Sequence, residues 1–293
     1  MYCYALRKYF SYSAISSLDL MLPIDAVSAS MYICYLKESG AAIGAIKSAF
    51  NAFKWAHNFV PGLNKFNDPL ETNTVKRVFE SALRSIKPGR NIKAPLTKDL
   101  IKLILANLKA DSSLKEIRNA TIISLAHNLL LRHDEIAHLC CSHMEVESDH
   151  VRVTIISSKT DKLRNGKNVL LSKAEDEDSS YQLPLRYMVK AHLSFGQNHF
   201  LFGPLSGHDS ILNQKLSYAC YRQILRSAVE SIGADPSNFG FHSCRSGGAT
   251  DLASSLTPFE LLSAGRWQSQ QSLAHYVEIP KHHKLQWSSF LNN

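Results

Sequence analysis

His242 and Arg245 lie three residues apart in the stretch FHSCRSGGATDL, residues 241–252, where small residues and a predicted helix start follow. Both side chains are awkward to bury, because a charged group in a core needs a partner. At the start of a helix, free backbone N–H groups and the positive end of the dipole favour an anion. The motif therefore indicates that this turn binds an anion or takes part in a proton transfer.

Two further cationic side chains could serve the same chemistry. Arg132 follows three leucines in NLLLRHDEIAHL and precedes Glu135 by three residues. An arginine there is costly to bury unless it meets an anion or a carboxylate, and taken alone the motif favours a structural contact between Arg132 and Glu135. Lys159 lies in ISSKTDKLRNGK, at the end of a predicted strand, where exposed lysines are common.

Two aromatic residues follow, Trp267 and, nine residues later, Tyr276, in GRWQSQQSLAHYV. A tryptophan and a tyrosine on a helix are usually core residues. The order of the whole set is more informative than any member: Arg, Lys, His-x-x-Arg, Trp and Tyr follow one another over about 145 residues.

The first third of the chain is predicted to be helical. Apolar residues recur near helical spacing in GAAIGAIKSAFNAFKWAHNFV, at Ile43, Ile46, Phe50, Phe53 and Phe59. The stretch LETNTVKRVFESALRSIK predicts another amphipathic helix, with an apolar face of Val75, Phe79 and Leu83. By contrast, the opening MYCYALRKYF gives little indication of a helix.

The stretch PGRNIKAP, with two prolines and a glycine, is typical of a linker. It predicts two domains, at residues 1–90 and 91–293. Thr97 is the predicted N-cap of the first helix after this linker.

A second helix is predicted to begin at SSLKEIRNA, where Ser113 and Glu116 have the spacing of a capping box, and to run to Arg132. The alternation in VRVTIIS then predicts a strand. KTDKLRNGKNVLL predicts a hairpin with Asn165 and Gly166 in its turn.

Composition indicates a soluble, intracellular protein, since 45% of residues are hydrophobic and 20% are charged. The sequence has neither a signal-peptide pattern nor an apolar run long enough to cross a bilayer. Its six irregularly spaced cysteines do not indicate a disulfide framework. His138, Cys140, Cys141 and His143 could be drawn as a zinc site, but buried free thiols are the favoured interpretation, and no metal is expected.

The net charge of +8 is concentrated at the N-terminal end, since residues 1–93 carry 12 Lys and Arg against 6 Asp and Glu. Such a region could bind a polyanion such as nucleic acid, or it could be a solvated cationic face, and charge alone does not decide. The candidate DNA-binding residues lie beside the apolar faces of the two predicted helices: Lys47, Lys54, Lys76, Arg77 and Arg84.

In this order, the motifs resemble those of the tyrosine recombinase, or phage integrase, family. LRHDEIAHL resembles the first box of the family, SKT its hairpin lysine, and HSCRSGGAT its second box. GRW matches the position that holds His or Trp after a glycine, and HYV matches the nucleophilic tyrosine. These motifs span residues 97–280, and SKTDKLRNGK and GRWQS look most like the eukaryotic branch encoded by DIRS-like, Ngaro-like and Crypton-like mobile elements.

The resemblance implies a recombinase or integrase that works without metal or cofactor. Tyr276 would attack a DNA phosphodiester, giving a 3′-phosphotyrosine link and a free 5′-hydroxyl. Arg132 and Arg245 would hold the non-bridging oxygens, and His242 would bind the phosphate and help to move the tyrosine proton. Three further roles complete the expected site: a general acid at Lys159, a phosphate donor at Trp267, and a residue that orients Arg132 or His242 at Glu135.

The resemblance also implies a mainly α fold with a small antiparallel three-stranded sheet. Residues 1–90 would form a helical core-binding (SAM-like) domain, and residues 91–293 the catalytic domain. The expected partner is double-stranded DNA, bound by a homotetramer, whereas the free protein is expected to be a monomer or dimer. No membrane is expected as a partner. The expected location is the nucleus in a eukaryote, or the cytoplasm and nucleoid in a prokaryote. The C-terminal HHKLQWSSFL would dock on a neighbouring subunit or on its own domain.

Two alternatives stay open. A type IB topoisomerase uses a similar set of residues to relax DNA as a monomer. A domesticated, element-derived protein would bind DNA without strand exchange, although every expected catalytic residue is present in this sequence.

Overall fold

The computed structural model describes residues 2–16, 21–86, 93–156, 166–174, 179–207 and 210–278. Contacts divide the chain into two units, Met1–Arg90 and Asn91–Asn293. Within the described ranges, no helix is long and apolar enough to cross a membrane.

The first unit is helical throughout its described residues. Its helices are α1 (Tyr2–Ile15), α2 (Ala26–Glu38), α3 (Ile43–His57) and α4 (Asn73–Ser85), with a 3-10 turn at Pro69–Glu71. The two helices predicted from apolar spacing are confirmed as α3 and α4. Phe59, however, lies beyond the end of α3 and is exposed.

The expectation of little helix at the opening is wrong, because α1 covers fourteen residues there. Its buried residues Ala5, Tyr9 and Ser13 are four apart, so they share one face although only Tyr9 is large. The Tyr9 ring packs against Tyr32 of α2 and Phe53 of α3, with ring centres 5.2 and 4.8 Å apart. One aromatic side chain thus anchors a helix that lacks an obvious apolar stripe.

The second unit begins with three helices, α5 (Lys98–Leu105), α6 (Leu114–Asn128) and α7 (His133–Ala137). The predicted capping box is present at the start of α6, where Ser113 Oγ accepts from the Glu116 backbone and the Glu116 carboxylate accepts from the Ser113 backbone. The prediction that this helix runs to Arg132 is wrong. Leu130 adopts the left-handed conformation, with φ of 50°, and ends the helix.

The three-stranded antiparallel sheet follows, in the order β1 (Met144–Val146), β2 (His150–Ile155) and β3 (Lys167–Ser172). Val151 pairs with Leu171 and Val153 with Val169, and the buried residues of β2 alternate as predicted. The described residues are otherwise mainly helical, and this sheet among them confirms the expected fold class. The hairpin turn falls in residues 157–165, outside the described part of the chain.

The remaining helices are α8 (Gln182–Lys190), α9 (Tyr218–Ser231), α10 (His242–Leu252), α11 (Pro258–Gly265) and α12 (Gln270–Leu273), with 3-10 turns at Cys141–His143 and Pro236–Asn238. The predicted helix start at His242 is confirmed as α10. A Cβ at Gly247 would lie 1.8 Å from the Leu96 carbonyl oxygen, and one at Gly248 would lie 2.3 Å from that of His127. The small residues after His-x-x-Arg therefore let α10 approach two backbone segments closely.

Asp251 fixes α10 to two other helices. Its Oδ2 accepts a hydrogen bond of 2.6 Å from the Lys98 backbone N–H, at the start of α5. The same oxygen lies 2.9 Å from Nε2 of His127, which is buried on α6. One carboxylate oxygen thus links the helix that carries His242 and Arg245 to α5 and α6.

Candidate active site

Arg245 lies on α10 and is completely buried. Its Nη1 and Nη2 donate to the carbonyl oxygens of Leu130 and Gly265, which lie at the ends of α6 and α11. Its Nε has no hydrogen-bond partner among the described residues. A guanidinium carries five N–H donors, so Arg245 is anchored by two carbonyls and keeps donors for a further acceptor.

Trp267 and Tyr276 face this guanidinium. The Cζ atom of Arg245 lies 4.4 Å from the centre of the Trp267 ring and 5.2 Å from that of Tyr276. The two ring centres are 5.2 Å apart. This arrangement suits cation–π attraction and places the Tyr276 ring beside a buried positive charge.

Neither aromatic residue lies on a helix, contrary to expectation. Trp267 follows α11 and Tyr276 follows α12. Trp267 is buried against Gly265, where an added Cβ would lie 1.6 Å from the indole Cζ3 atom. Tyr276 is half-buried and its backbone is tied to α10, since Thr250 Oγ1 donates to its carbonyl oxygen at 3.4 Å.

Arg132 and Glu135 form the contact that the sequence suggested. Arg132 Nη1 donates to Glu135 Oε1 at 2.6 Å, and the Arg132 backbone N–H donates to Oε2 at 2.9 Å. The Glu135 side chain is almost fully buried, whereas 15% of the Arg132 side chain is exposed. A contact between Glu135 and His242, the other expected role, is not among the described hydrogen bonds.

Arg266 completes the charge cluster. It was not among the site residues predicted from the sequence. Its Nη2 donates to Glu135 Oε2 at 3.0 Å and to the Leu130 carbonyl oxygen at 2.9 Å. Nη1 of Arg245 lies 4.0 Å from the same Oε2 atom. Three guanidinium groups therefore surround one carboxylate, and the cluster carries excess positive charge. The only sequence signal for Arg266 was its place before Trp267 in GRW.

Burial and like charges shift the pKa values of these groups. Desolvation, followed by the charge of Arg132, lowers the pKa of Arg245, although Glu135 opposes this. Desolvation also lowers the pKa of Arg266. The pKa of Glu135 is lowered because Arg266, Arg132 and the Arg132 backbone together outweigh its large desolvation cost. Glu135 is thus ionised at neutral pH, and its buried negative charge is the counter-ion of the cluster.

His242 lies at the first turn of α10, with its ring centre 6.5 Å from that of Tyr276. Partial desolvation, then the charges of Arg245 and Arg132, lower the pKa of its imidazole. The ring is therefore neutral at pH 7, and a neutral imidazole has one nitrogen that can accept a proton. Lys159, the sixth predicted catalytic residue, lies outside the described residues.

A groove of about 750 Å³ opens beside His242, between α9 and the chain that leads into α10. Its cationic lining residues are Lys93, Arg222 and Arg226, and the first turn of α9 contributes Tyr218. Arg226 is paired with Glu230 at 2.9 Å. These residues give no distinct signal in the sequence, because the charges of α9 are interspersed along an ordinary amphipathic pattern.

In the first unit, the five candidate DNA-binding residues lie on α3 and α4. Lys54 and Lys76 both bind Glu71, at 3.0 and 2.7 Å, and these contacts lower the pKa of Glu71 to about 2. Arg84 pairs with Glu80 at 3.2 Å. Lys47 and Arg77 are exposed. The cationic surface is therefore partly neutralised by acidic neighbours.

Residues 94–283 match the model of the phage integrase family, which is nearly two thirds of the chain. A curated relative, an integrase/recombinase XerD homolog from Selenomonas ruminantium, is 22% identical over 224 residues. That alignment covers 76% of this chain and 64% of the relative, so the chain spans less than two thirds of the relative's length.

Solved structures of recombinases share the fold. XerH site-specific recombinase bound to palindromic difH substrate has a TM-score of 0.66 at 16% identity, over 99% of this chain and 77% of XerH. The Tn1549 transposon integrase in complex with transposon right end DNA has a TM-score of 0.59 at 16% identity, over 92% and 86%. A lambda integrase dimer bound to a COC' core site has a TM-score of 0.53 at 15% identity, over 92% and 87%.

Proposed function

Because the chain belongs to the phage integrase family, we propose that it is a site-specific DNA recombinase or integrase that acts through a covalent 3′-phosphotyrosine. The observation that carries the proposal is the convergence of Tyr276, Arg245, Trp267 and His242. The Arg245 Cζ atom lies within 5.2 Å of both aromatic ring centres, and the ring centre of His242 lies 6.5 Å from that of Tyr276. A phenol, a neutral imidazole and a buried guanidinium are thus available to one phosphate.

In the proposed reaction, Tyr276 Oη forms a bond to phosphorus while the bond from phosphorus to the 5′ oxygen breaks. The phenol loses its proton and the departing 5′ oxygen gains one. The tyrosyl ester keeps the energy of the phosphodiester, so a 5′-hydroxyl of another strand can reverse the same steps without ATP. A phenol is a weak nucleophile at neutral pH, so the site must stabilise charge on the phosphate and accept a proton.

Arg132 and Arg245 are the proposed phosphate ligands. Arg245 is oriented by two carbonyl oxygens and Arg132 by Glu135, so neither guanidinium must reorganise when charge develops in the transition state. The cationic side chains would do the work of a metal ion in other phosphoryl transferases. We therefore propose that the reaction needs no cofactor.

His242 is the proposed acceptor of the Tyr276 proton, because its lowered pKa leaves the imidazole neutral at pH 7. Trp267 has only an N–H donor, and among the described residues its buried Nε1 has no partner. It would hold a phosphate oxygen but could not move a proton. Lys159 remains the proposed general acid for the 5′ oxygen, on the resemblance alone.

Double-stranded DNA is the proposed partner of both units. In the second unit, Lys93 and Arg222 line the groove beside His242 and would contact phosphates near the cleavage point. In the first unit, residues 1–90 are the proposed core-binding domain, with Lys47, Lys54, Lys76, Arg77 and Arg84 on the DNA side. A homotetramer on two sites is the proposed active assembly.

We also propose that the DNA substrates are the ends of a mobile element. The narrower link to DIRS-like, Ngaro-like or Crypton-like elements stays a prediction from SKTDKLRNGK and GRWQS. The alternatives of a DNA-binding relic and a type IB topoisomerase-like enzyme are outcomes of the following test.

The test is to trap the covalent adduct. Nicked duplexes that carry candidate element ends are mixed with the protein and with Tyr276→Phe, with and without EDTA, and run on a denaturing gel. We expect a shifted band for the wild type alone, unchanged by EDTA, and equal DNA binding by both proteins.

An adduct from Tyr276→Phe would overturn the assignment of the nucleophile, and loss of the band in EDTA would indicate a metal-dependent nuclease. DNA binding without an adduct on any duplex would favour the relic. Relaxation of supercoiled DNA by monomers would favour a topoisomerase.

A further inference from the structure

Arg266 occupies a backbone position that ordinarily favours glycine. Its φ and ψ are 57° and 39°, in the left-handed region. The Arg266 N–H donates to the Ser263 carbonyl oxygen, and the Trp267 N–H donates to that of Leu262. This is the Schellman pattern of a helix C-terminus, in which the left-handed residue is usually glycine because a side chain is disfavoured there. A non-glycine residue in this conformation needs support from its surroundings.

The guanidinium of Arg266 supplies that support. It donates to the carbonyl oxygens of Leu129 and Leu130, at 3.2 and 2.9 Å, and to Glu135 at 3.0 Å. Its side chain is 4% exposed, so these contacts are buried. Leu130 is itself left-handed and follows α6. One side chain therefore links the ends of α6 and α11 to the carboxylate between them.

The contact between Arg266 and Glu135 also affects how much of the positive charge of Arg245 is neutralised by the carboxylate. Glu135 Oε2 lies 3.0 Å from Arg266 but 4.0 Å from Arg245. Without Arg266, the Oε2 atom of this buried carboxylate would lose its close cation, and an uncompensated buried charge is costly. The Arg132 guanidinium already binds Oε1 at 2.6 Å, so the cation left to approach Oε2 is Arg245. A closer pair would draw the guanidinium and charge of Arg245 away from a phosphate.

On the basis of the proposed function, we infer that Arg266 is a positioning residue, which occupies Glu135 and braces the Leu130 turn so that Arg132 and Arg245 keep their charge for the phosphate. Arg266 acts through Glu135 and Leu130 and does not itself touch the DNA. The cluster then binds an anion because three cations share one carboxylate.

The first arm of the test compares Arg266→Lys, Arg266→Gln and Arg266→Gly in the adduct assay. Glycine relieves the left-handed conformation but removes the cation, glutamine removes the cation alone, and lysine keeps a cation without the fork. We expect adduct formation to fall about 10- to 100-fold for glycine and glutamine, the range found when residues that orient the ligands of a metal site are replaced. Lysine should recover part of the rate. If Arg266 were only a helix-end residue, glycine would match the wild type, and that result would overturn the inference.

The second arm does not depend on DNA cleavage. Inorganic phosphate is titrated into each protein while the thermal unfolding midpoint is followed, because a ligand of the native state raises the midpoint. We expect the phosphate-dependent rise to be lost in Arg266→Gln and Arg266→Gly as fully as in Arg132→Gln. The charge-matched control Lys115→Gln, at an exposed position on α6, should keep it.

Retention of the phosphate response in Arg266→Gln would overturn the inference. So would a wild-type rise no larger than that of Arg132→Gln, since the cluster would then hold no anion. Absence of a Tyr276-dependent adduct with an intact phosphate response would overturn the proposed function while leaving the positioning role standing.

Discussion

The guanidinium carbon of Arg245 lies 4.4 Å from the centre of the Trp267 ring, although 22 residues separate the two in the chain. The ring in turn lies against Gly265, whose carbonyl oxygen accepts from Arg245 Nη2. The Gly265 backbone, the Trp267 ring and the Arg245 guanidinium are therefore in mutual contact. Substitution of Gly265, Trp267 or Arg245 is therefore expected to shift the other two.

Arg245→Lys should cripple adduct formation while leaving DNA binding largely intact. An ammonium group cannot donate to both the Leu130 and the Gly265 carbonyl oxygens and also present a flat face to Trp267. We expect a loss of about 10²- to 10³-fold in cleavage rate, the size seen when one donor to a transition-state oxyanion is removed. Single-turnover adduct formation on a nicked duplex measures the rate. Near-native cleavage would mean that Arg245 serves only to pack the core.

The local start of α10 and the paired strands could be predicted, because they depend on short-range patterns. The capping box at Ser113 and the alternation of β2 are examples that the structure confirms. The family could also be predicted, because five motifs in a fixed order are far more specific than any one of them.

The end of α6 could not be predicted in the same way. Three leucines before Arg132 continue the apolar pattern of a helix, but Leu130 is left-handed, and its carbonyl oxygen accepts hydrogen bonds from two arginines of distant segments. Arg266 was missed for the same reason. Its role depends on Glu135, which is 131 residues away. An ion pair between residues so far apart in the chain cannot be recognised from a short segment of sequence.

Gly247→Ala should destabilise the second unit strongly. The new Cβ would lie 1.8 Å from the backbone oxygen of Leu96, which cannot move like a flexible side chain. We expect a loss of about 3 kcal/mol or more in the free energy of unfolding, at the upper end of overpacking effects. Gly44→Ala is the control, because the space around Gly44 on α3 is open. That change should stabilise the chain by about 0.5–1 kcal/mol through helix propensity, as urea unfolding can measure. Equal stability of the two variants would contradict the close approach of α10.

Stability should fall as the pH drops below the ordinary pKa of histidine. Burial lowers the pKa of His127, although Asp251 opposes this and Lys98 assists it. Between that lowered pKa and the ordinary histidine pKa of 6.5, the unfolded chain binds more protons than the folded chain, so unfolding is favoured in acid. His127→Gln removes this proton and should flatten the dependence. Urea unfolding at pH 7.5 and 5.5 compares the two proteins. An equal loss of stability in both would show that His127 does not contribute.

Lys47 and Arg77 should contribute to DNA affinity through phosphate contacts. Both are exposed, whereas Lys54, Lys76 and Arg84 are paired with acidic side chains. Replacing Lys47 and Arg77 together with glutamine should reduce the slope of log affinity against log salt by about 2, because each lost contact to duplex DNA removes about 0.9. Fluorescence anisotropy with a labelled duplex, at several salt concentrations, gives the slope. Lys37→Gln on α2, also exposed, is the control and should leave the slope unchanged. If the double variant keeps the wild-type slope, α3 and α4 do not face the DNA backbone, and the cationic surface of the first unit has another role.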